Sequence, residues 1–264
     1  MVVHGTSPFN AEPPPAALAG SDLTPIDAFY SRNHGEVPRI DPGEWRLTVG
    51  GLVGRTLELS LDDLRTFEPH SVDATLQCAG NRRAGLTEIR PIEGEDPWGP
   101  CATSTAQWGG VRLSDVLGRA GIDAADGLHV EFLAPDVTDL ATPPQAYGSS
   151  IPLAKALSDE VLLAWEMNGE PLPPVHGGPV RVVVPGYIGA RSVKWVQSLA
   201  VRNSPSDNYF QSVAYHLLPA DVDPATAAPG AGIPLGSVAL NGDILTPDDG
   251  ARVPPGPLEV SGYA

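Results

Sequence analysis

Residues 75–83 read Thr75-Leu76-Gln77-Cys78-Ala79-Gly80-Asn81-Arg82-Arg83, so one thiol is followed by two small residues, an amide and two guanidinium groups. Residues 71–77 have the pattern of a β-strand, which places the Cys78 sulfur at a strand-to-loop edge. Nearby positive charge favours a thiolate, because only the charged form gains Coulomb and hydrogen-bond energy. The stretch therefore predicts a reactive cysteine with room beside it and anion-binding arginines after it. The alternative is a buried structural cysteine followed by a solvated arginine pair.

The composition indicates a globular protein. Of the 264 residues, 42% are hydrophobic and 18% are charged, which is enough for a large core with a smaller appendage. No stretch approaches the ~18 unbroken apolar residues of a transmembrane helix. The N-terminus has neither the basic nor the apolar region of a signal peptide. We therefore expect a cytoplasmic protein without a membrane span, with a mature periplasmic form as the alternative.

Charge and cysteine content narrow the possible partners. The net charge of −16, from 32 acidic and 16 basic residues, argues against nucleic-acid binding and suits a basic protein partner. A locally basic pocket can still concentrate a small anion. Cys78 and Cys101 are too few for a disulfide framework or a multi-thiolate zinc site, and we expect Cys101 to be structural. The histidines lack zinc-site spacing, and we assign no role to His4, His70, His129 and His216.

Twenty-nine prolines and 29 glycines predict short strands and long ordered loops, and we expect an α+β fold with several short sheets. The pattern predicts strands at 45–49, 71–77, 129–133, 161–165, 180–184 and 193–201. It predicts helices from the Ser60 capping box to Phe67, from Ser114 to a stop at Gly121, and over 151–157. Asn168-Gly169 is a turn signal.

The two ends of the chain differ from the middle in amino-acid composition and pattern. Residues 8–26 are predicted to be an irregular arm that wraps a surface. We expect a main domain over residues 1–218 and a Pro/Ala/Gly-rich linker over 219–234. Residues 235–264, with strands at 237–240 and 258–262, then predict the truncated start of a β-sandwich. Two strands cannot bury a sandwich core, so this second domain is expected to be incomplete.

Six segments together resemble the sulfite oxidase family, the molybdopterin enzymes that also include plant-type nitrate reductase. The resemblance runs from about residue 9 to the end of the chain in one order and spacing. It implies a mixed-sheet molybdopterin-binding domain followed by an immunoglobulin-like dimerisation domain. The segments are FNAEPPP (9–15), FYSRNH (29–34), TLQCAGNRR (75–83), AYGSSIPL (146–153), AWEMNGEPLP (164–173) and HGGPVRVVVPGYIGARSVKW (176–195).

The resemblance also implies the site residues. It makes Cys78 the molybdenum ligand and leaves Arg82 unassigned. The residues implied to bind the molybdopterin are Tyr30, Ser31, Arg32, Asn33, His34, Asp136, His176, Arg181, Ser192, Val193 and Lys194. The residues implied to form the catalytic substrate pocket are Arg32, Arg83, Trp98 and Tyr147. The chemistry agrees, because guanidinium groups hold small oxyanions through forked hydrogen bonds and soft sulfur suits a redox-active metal.

The implied activity is oxygen-atom transfer, with oxidation of sulfite to sulfate as the main hypothesis. Nitrate reduction and an inactive pterin-binding fragment are the alternatives. No cytochrome b5-like segment precedes residue 9, so we expect no haem and a separate electron acceptor, such as a cytochrome c. The family places a further substrate-pocket arginine beyond the point where this sequence ends, which puts substrate affinity and a homodimer in question.

Overall fold

The structure is a computed structural model that describes residues 1–92 and 94–264. Its strands are β1 (Val2–Thr6), β2 (Phe9–Glu12), β3 (Arg46–Gly51), β4 (Leu57–Ser60), β5 (His70–Gln77), β6 (Thr103–Arg112), β7 (His129–Thr138), β8 (Gln145–Pro152), β9 (Leu162–Met167), β10 (Glu170–Pro171), β11 (Arg181–Val183), β12 (Ser198–Arg202), β13 (His216–Leu217), β14 (Ile233–Pro234), β15 (Asp243–Thr246) and β16 (Ser261–Tyr263). Its helices are α1 (Pro15–Ala19), α2 (Leu61–Leu64), α3 (Arg83–Thr87), α4 (Leu113–Arg119), α5 (Leu153–Ala156) and α6 (Tyr209–Ser212). Short strands and very short helices make this an α+β fold, as predicted.

Two five-stranded sheets form the body of the protein. The first has the order β10-β9-β6-β5, with β11 also paired to β9, and all its pairs are antiparallel. The second has the order β4-β3-β12-β7-β8 and is mixed, because β12 runs parallel to β3 and antiparallel to β7. The main apolar core draws on both sheets and includes Trp45, Phe132 and Leu163. Burial of such large side chains is the chief source of stability.

Several local predictions are confirmed. The strand before Cys78 is β5, which pairs with β6 along its whole length. Ser60 caps α2, since its hydroxyl accepts the Asp63 N–H at 3.1 Å and the Asp63 carboxylate accepts the Ser60 N–H at 2.9 Å. Asn168-Gly169 is a two-residue turn between β9 and β10, and both residues have the positive φ that such turns need. Gly121 has a φ of +74° just after α4.

Four predicted boundaries are wrong. The first helix ends at Leu64, because the N–H groups of Thr66 and Phe67 bond three residues back in tight turns. Ser114 is not a cap, since α4 begins at Leu113 and its N-cap is Arg112. Ile151 belongs to β8, and the following helix begins only at Leu153.

The predicted strand over 193–201 begins late, at Ser198. Trp195 interrupts it with a φ of +52°, and its indole N–H donates to the carbonyl of Pro174 at 2.7 Å. The chain before β12 therefore turns across a neighbouring loop instead of extending a sheet.

The N-terminal arm is more regular than predicted. Residues 2–12 form the hairpin β1–β2, and α1 follows it. The Ala11 and Ser31 backbones exchange two hydrogen bonds, of 3.0 and 2.8 Å, so the hairpin is attached to the loop at 29–34. Among the described residues, no helix is long and apolar enough to span a membrane.

The C-terminal residues pack on the main body. They form two small sheets, β13–β14 and β15–β16, and the predicted strand at 237–240 is reduced to one bridge between Ser237 and Tyr187. Arg82 pairs with Asp243 at 2.9 Å, and the Asn81 amide donates to the Tyr263 hydroxyl at 2.8 Å. The immunoglobulin-like sandwich and the boundaries at 218 and 234 stay predictions.

Candidate functional site

A cavity opens beside the end of β5. Its empty volume, counted to the open mouth, is about 640 Å³. Three stretches supply most of its wall, namely residues 29–34, the β5 end with Cys78, and residues 176–195. Every predicted site residue except Arg83 and Trp98 lines this cavity. Residues far apart in sequence therefore meet as the motifs predict.

Cys78 lies where β5 ends. Its N–H donates to the Ala102 carbonyl at 2.8 Å, and its sulfur accepts the Gly80 N–H at 3.4 Å. Burial raises the pKa of the Cys78 thiol, while the Gly80 N–H, Arg32 and Arg83 lower it in part. Burial thus outweighs the positive charge that the sequence suggested would favour a thiolate. A bound metal ion reverses that balance, because a coordinating thiol is deprotonated.

The loop at 29–34 forms one wall. The Tyr30 N–H donates to the Ser104 hydroxyl at 3.1 Å, and the Asn33 amide donates to the Phe9 carbonyl at 2.6 Å. A Cβ on Gly189 would stand 2.5 Å from the Tyr30 hydroxyl, so only glycine permits this approach. Hydrogen bonds to Ser104 and Phe9 therefore hold the loop in place.

Two buried basic side chains, Arg181 and Lys194, line the opposite wall. The Arg181 guanidinium donates to the carbonyls of His176 at 2.8 Å and Ser192 at 3.0 Å, and burial lowers its pKa to about 10. Lys194 donates to the carbonyl of Val175 at 3.2 Å and to the side chain of Asn33. Burial, followed by Arg181, lowers the pKa of Lys194 well below its usual value, and Asp136 partly opposes this shift. The wall attracts anions.

His176 is neutral at physiological pH. Burial, with Lys194 and Arg181 nearby, lowers its pKa to about 3. Its Nε2 lies 3.2 Å from the Ile26 carbonyl, and its ring meets Phe29 edge-on at 5.4 Å. The ring is thus held in place by the protein and can offer one hydrogen bond to a ligand.

Asp136 brings a buried carboxyl oxygen without a partner to the cavity lining. It is 7% exposed, and its Oδ1 has no hydrogen-bond partner among the described residues. Burial raises its pKa to about 7, although Lys194 lowers it in part. A buried unpaired oxygen is costly, so this group is arranged for a ligand that hydrogen-bonds to it.

An aromatic cluster closes the third side. The Tyr147 hydroxyl donates to the Ala190 carbonyl at 2.7 Å, and the His34 ring stacks on Tyr147 at 5.0 Å. The Tyr215 hydroxyl lies 2.7 Å from His34 Nε2. Burial, with Arg32 and Lys194, lowers the pKa of His34 well below its usual value. Tyr215 was missed from sequence because no motif surrounds it.

The two remaining predicted residues lie outside the cavity lining. The Arg83 guanidinium packs over Gly80, where an added Cβ would meet it at 2.3 Å, so Arg83 is close behind the cysteine loop. Trp98 is fully buried, and its ring meets His4 edge-on at 4.8 Å. The packing of Trp98 against the N-terminal hairpin keeps it off the cavity surface.

The donors and acceptors of the cavity fit a molybdopterin with its metal. Such a cofactor carries a phosphate and a ring edge rich in hydrogen-bonding groups. Lys194 and Arg32 suit an anion, while the unpaired Asp136 and the held His176 suit a polar ring. Cys78 offers the soft sulfur that a redox-active transition metal accepts. These residues would hold the group between the two walls.

Comparisons with known proteins agree with this reading. The family described as the oxidoreductase molybdopterin binding domain matches residues 34–210. A sulfite oxidase of Gallus gallus is 46% identical over 99% of the chain and 57% of its own length. A nitrate reductase [NADH] of Ulva prolifera is 39% identical over 85% of the chain and 26% of its own length. The crystal structure of the sulfane dehydrogenase SoxCD from Paracoccus pantotrophus superposes with a TM-score of 0.77 at 27% identity, covering 94% of the chain and 60% of that chain.

Fold and site together define a molybdopterin-binding oxidoreductase domain of mixed sheets. The chain spans little more than half the length of the Gallus gallus relative, 57% of it. The chain belongs to the oxidoreductase molybdopterin binding domain family and groups there with the sulfite oxidases. Membership implies a molybdenum cofactor.

Proposed function

We propose that the chain is the molybdenum-carrying part of an enzyme that oxidises sulfite to sulfate. The observation that carries this proposal is the placement of one thiol, Cys78, on a cavity whose wall bears Arg32, Arg181 and Lys194. A cationic cavity with a soft ligand suits a redox centre acting on a small oxyanion. The likeness to a sulfite oxidase at 46% identity supports the choice of substrate.

The protein's own residues would bind and orient the substrate. Arg32 lines the cavity. Burial alone would lower the pKa of Arg32, but Tyr215, Cys78 and Asp96 raise it by more. Arg32 therefore stays charged and can hold one edge of the anion through forked hydrogen bonds. The Arg83 guanidinium, behind Gly80, adds positive charge from a second direction. By comparison with other preorganised donors, loss of either would cost about 2 to 4 kcal/mol of barrier.

The overall reaction balances as sulfite plus water giving sulfate, two protons and two electrons. When bound, the cofactor supplies oxygen-atom transfer and accepts the electron pair. Cys78 would fix the cofactor by its sulfur, and Asp136 with His176 would orient the ring. Tyr147, held by the Ala190 carbonyl at 2.7 Å, would present its ring and hydroxyl at the substrate side. The electrons would pass to a separate redox protein, such as a cytochrome c.

The first test compares two assays on one molybdenum-loaded preparation. We expect sulfite to drive ferricyanide reduction and viologen-driven nitrate reduction to be absent. Nitrate turnover without sulfite turnover would instead establish the second candidate, which the 39% identity to a nitrate reductase favours.

Metal analysis separates an enzyme from an inactive pterin-binding fragment. We expect molybdenum to copurify with the chain from a host that makes the cofactor. Pterin without molybdenum would support the fragment. A homodimer, if the whole protein carries a dimerisation domain, is part of the same proposal and is tested by light scattering.

A further inference from the structure

Asn10, on β2 of the N-terminal hairpin, makes hydrogen bonds near the site through both the oxygen and the nitrogen of its side-chain amide. It is buried, with 4% exposure. Its Oδ1 accepts the Asn33 N–H at 2.6 Å, in the loop that carries Arg32. Its Nδ2 donates to Asp96 Oδ2 at 3.1 Å. One buried amide thus joins a cavity wall to the loop at 95–101.

Asp96 reaches both arginines that the proposed function assigns to the substrate anion. Its carboxylate lies 3.6 Å from Arg32 Nε, and its backbone carbonyl accepts a hydrogen bond from Arg83 at 2.7 Å. Arg83 also pairs with Glu95 at 3.1 Å. The side chains of Arg32, Arg83 and Asp96 are 18%, 17% and 19% exposed, so each is partly shielded from water. Asp96 therefore contacts both guanidinium groups and adds to the Asn33 carbonyl, which accepts from Arg32, and to Glu95 in fixing their spacing.

Glu12, also on β2, holds the same loop. It is 3% exposed, and its carboxylate accepts the N–H groups of Gly99 at 2.6 Å and Cys101 at 3.0 Å. His4 Nε2 lies 2.7 Å from the same carboxylate. The loop that carries Asp96 is thereby fixed on the hairpin at two points, by Asn10 and by Glu12.

We propose that Asn10 and Asp96 are positioning residues that hold Arg32 and Arg83 toward the substrate anion. A partly exposed ion pair adds little to folding stability. A displacement of about 1 Å in a positioned group can nevertheless cost on the order of 100-fold in rate. Loss of the Asp96–Arg32 ion pair should therefore weaken anion binding more than folding stability. The inference rests on the proposed function only in that these arginines bind the oxyanion.

The test uses the full chain loaded with cofactor and three variants, Asp96→Ala, Asn10→Ala and Asp96→Asn. The first readout is sulfate binding, followed as the rise in thermal midpoint in sulfate against chloride at equal ionic strength. The second readout is the KM and kcat for sulfite with ferricyanide. The control is Asp62→Ala, which breaks the exposed Asp62–Arg65 pair of 3.1 Å elsewhere on the surface.

We expect Asp96→Ala and Asn10→Ala to weaken sulfate binding and raise KM by about tenfold, with kcat changed by less than about threefold. Asp96→Asn keeps an acceptor oxygen for Asn10 but loses the charge that pairs with Arg32, so it should restore part of the affinity. Unchanged sulfate affinity in Asp96→Ala would overturn the inference. A loss of sulfate affinity would also overturn the inference if it only parallels a lower thermal midpoint of the variant without sulfate and is not partly reversed in Asp96→Asn. If the unmodified protein fails to oxidise sulfite, the proposed function fails, and the sulfate titration still decides the positioning role.

Discussion

Arg181 and Arg32 bring guanidinium groups to the same cavity, but the protein holds them by different means. Arg181 is 5% exposed and donates to the carbonyls of His176 and Ser192. Arg32 is half-buried and pairs with the Asp96 carboxylate at 3.6 Å. Arg181 is fixed by backbone carbonyls, whereas Arg32 is held by the Asn33 carbonyl together with a carboxylate on the loop at 95–101. The wall that carries Arg181, which we call the proposed cofactor wall, should therefore tolerate little change. The part of the site formed by Arg32 and Arg83, which we call the proposed substrate edge, should be more adjustable.

The two walls share Cys78, so its replacement should have the largest effect. Loss of a residue that only supports a metal ligand costs about 10- to 100-fold, so we expect Cys78→Ser to lower sulfite turnover by more than about 100-fold. The variant should still fold, because serine nearly matches cysteine in size. Turnover is measured with ferricyanide and folding by circular dichroism. Full activity in a folded variant would exclude Cys78 as the metal ligand.

The difference between the walls is tested directly by comparing Arg181→Met with Arg32→Met. The first leaves two buried carbonyls unpaired, so we expect a loss of about 3 kcal/mol in the free energy of unfolding. The second removes a partly exposed ion pair and should cost less than about 1 kcal/mol. Urea unfolding of the cofactor-free protein measures both. Equal losses would remove the distinction between the walls.

The ionisation of Asp136 should make the folding stability of the protein depend on pH. Its folded-state pKa of about 7 lies above its usual value of 3.8, so the folded state binds the proton more tightly than the unfolded state. The stability that Asp136 contributes to the cofactor-free protein should therefore be complete below about pH 4 and be lost as the pH rises through about 7, by about 2 to 4 kcal/mol.

The matching variant is Asp136→Asn, which cannot ionise. It should flatten this profile and be more stable than the unmodified protein at pH 8. Thermal midpoints at pH 5, 6, 7 and 8 provide the measurement. Parallel profiles in the two proteins would show that Asp136 does not ionise in this range.

The smallest effect should come from Gly80→Ala, at the substrate edge. The new Cβ would meet the Arg83 guanidinium at 2.3 Å. Because the end of a long side chain can move, the free energy of unfolding should change by less than about 1 kcal/mol. The KM for sulfite should rise about tenfold, since Arg83 is displaced. An unchanged KM would place Arg83 outside substrate binding.

The sequence predicted the cofactor wall better than the substrate edge. The segment 176–195 carries a motif in which spacing and residue type are both specific, and the fold brings it onto the cavity. Trp98 fits the same resemblance, yet it packs against His4 because the N-terminal hairpin covers it. A motif cannot reveal which side of a loop faces a neighbour that is distant in sequence.

Other features had no sequence signal. Tyr215 lies in a stretch without a motif, and only the tertiary structure places its hydroxyl 2.7 Å from His34. The positive φ of Trp195 delays the start of the strand predicted over 193–201 to Ser198, although a hydrophobic run normally favours a continuous strand. Residues 235–264 were predicted to begin a second domain, and no sequence pattern indicated that Leu245, in β15, would be buried with 2% exposure.

The contacts of Arg82 with Asp243 and of Asn81 with Tyr263 join the loop after the cysteine to the last two strands. A substitution of Asn81 or Arg82 removes a contact that holds the loop, unless its partner in the last two strands changes as well. Across homologous sequences, positions 81 and 82 should therefore vary together with positions 243 and 263. Sequence changes in the C-terminal strands would then be matched by changes three and four residues after Cys78.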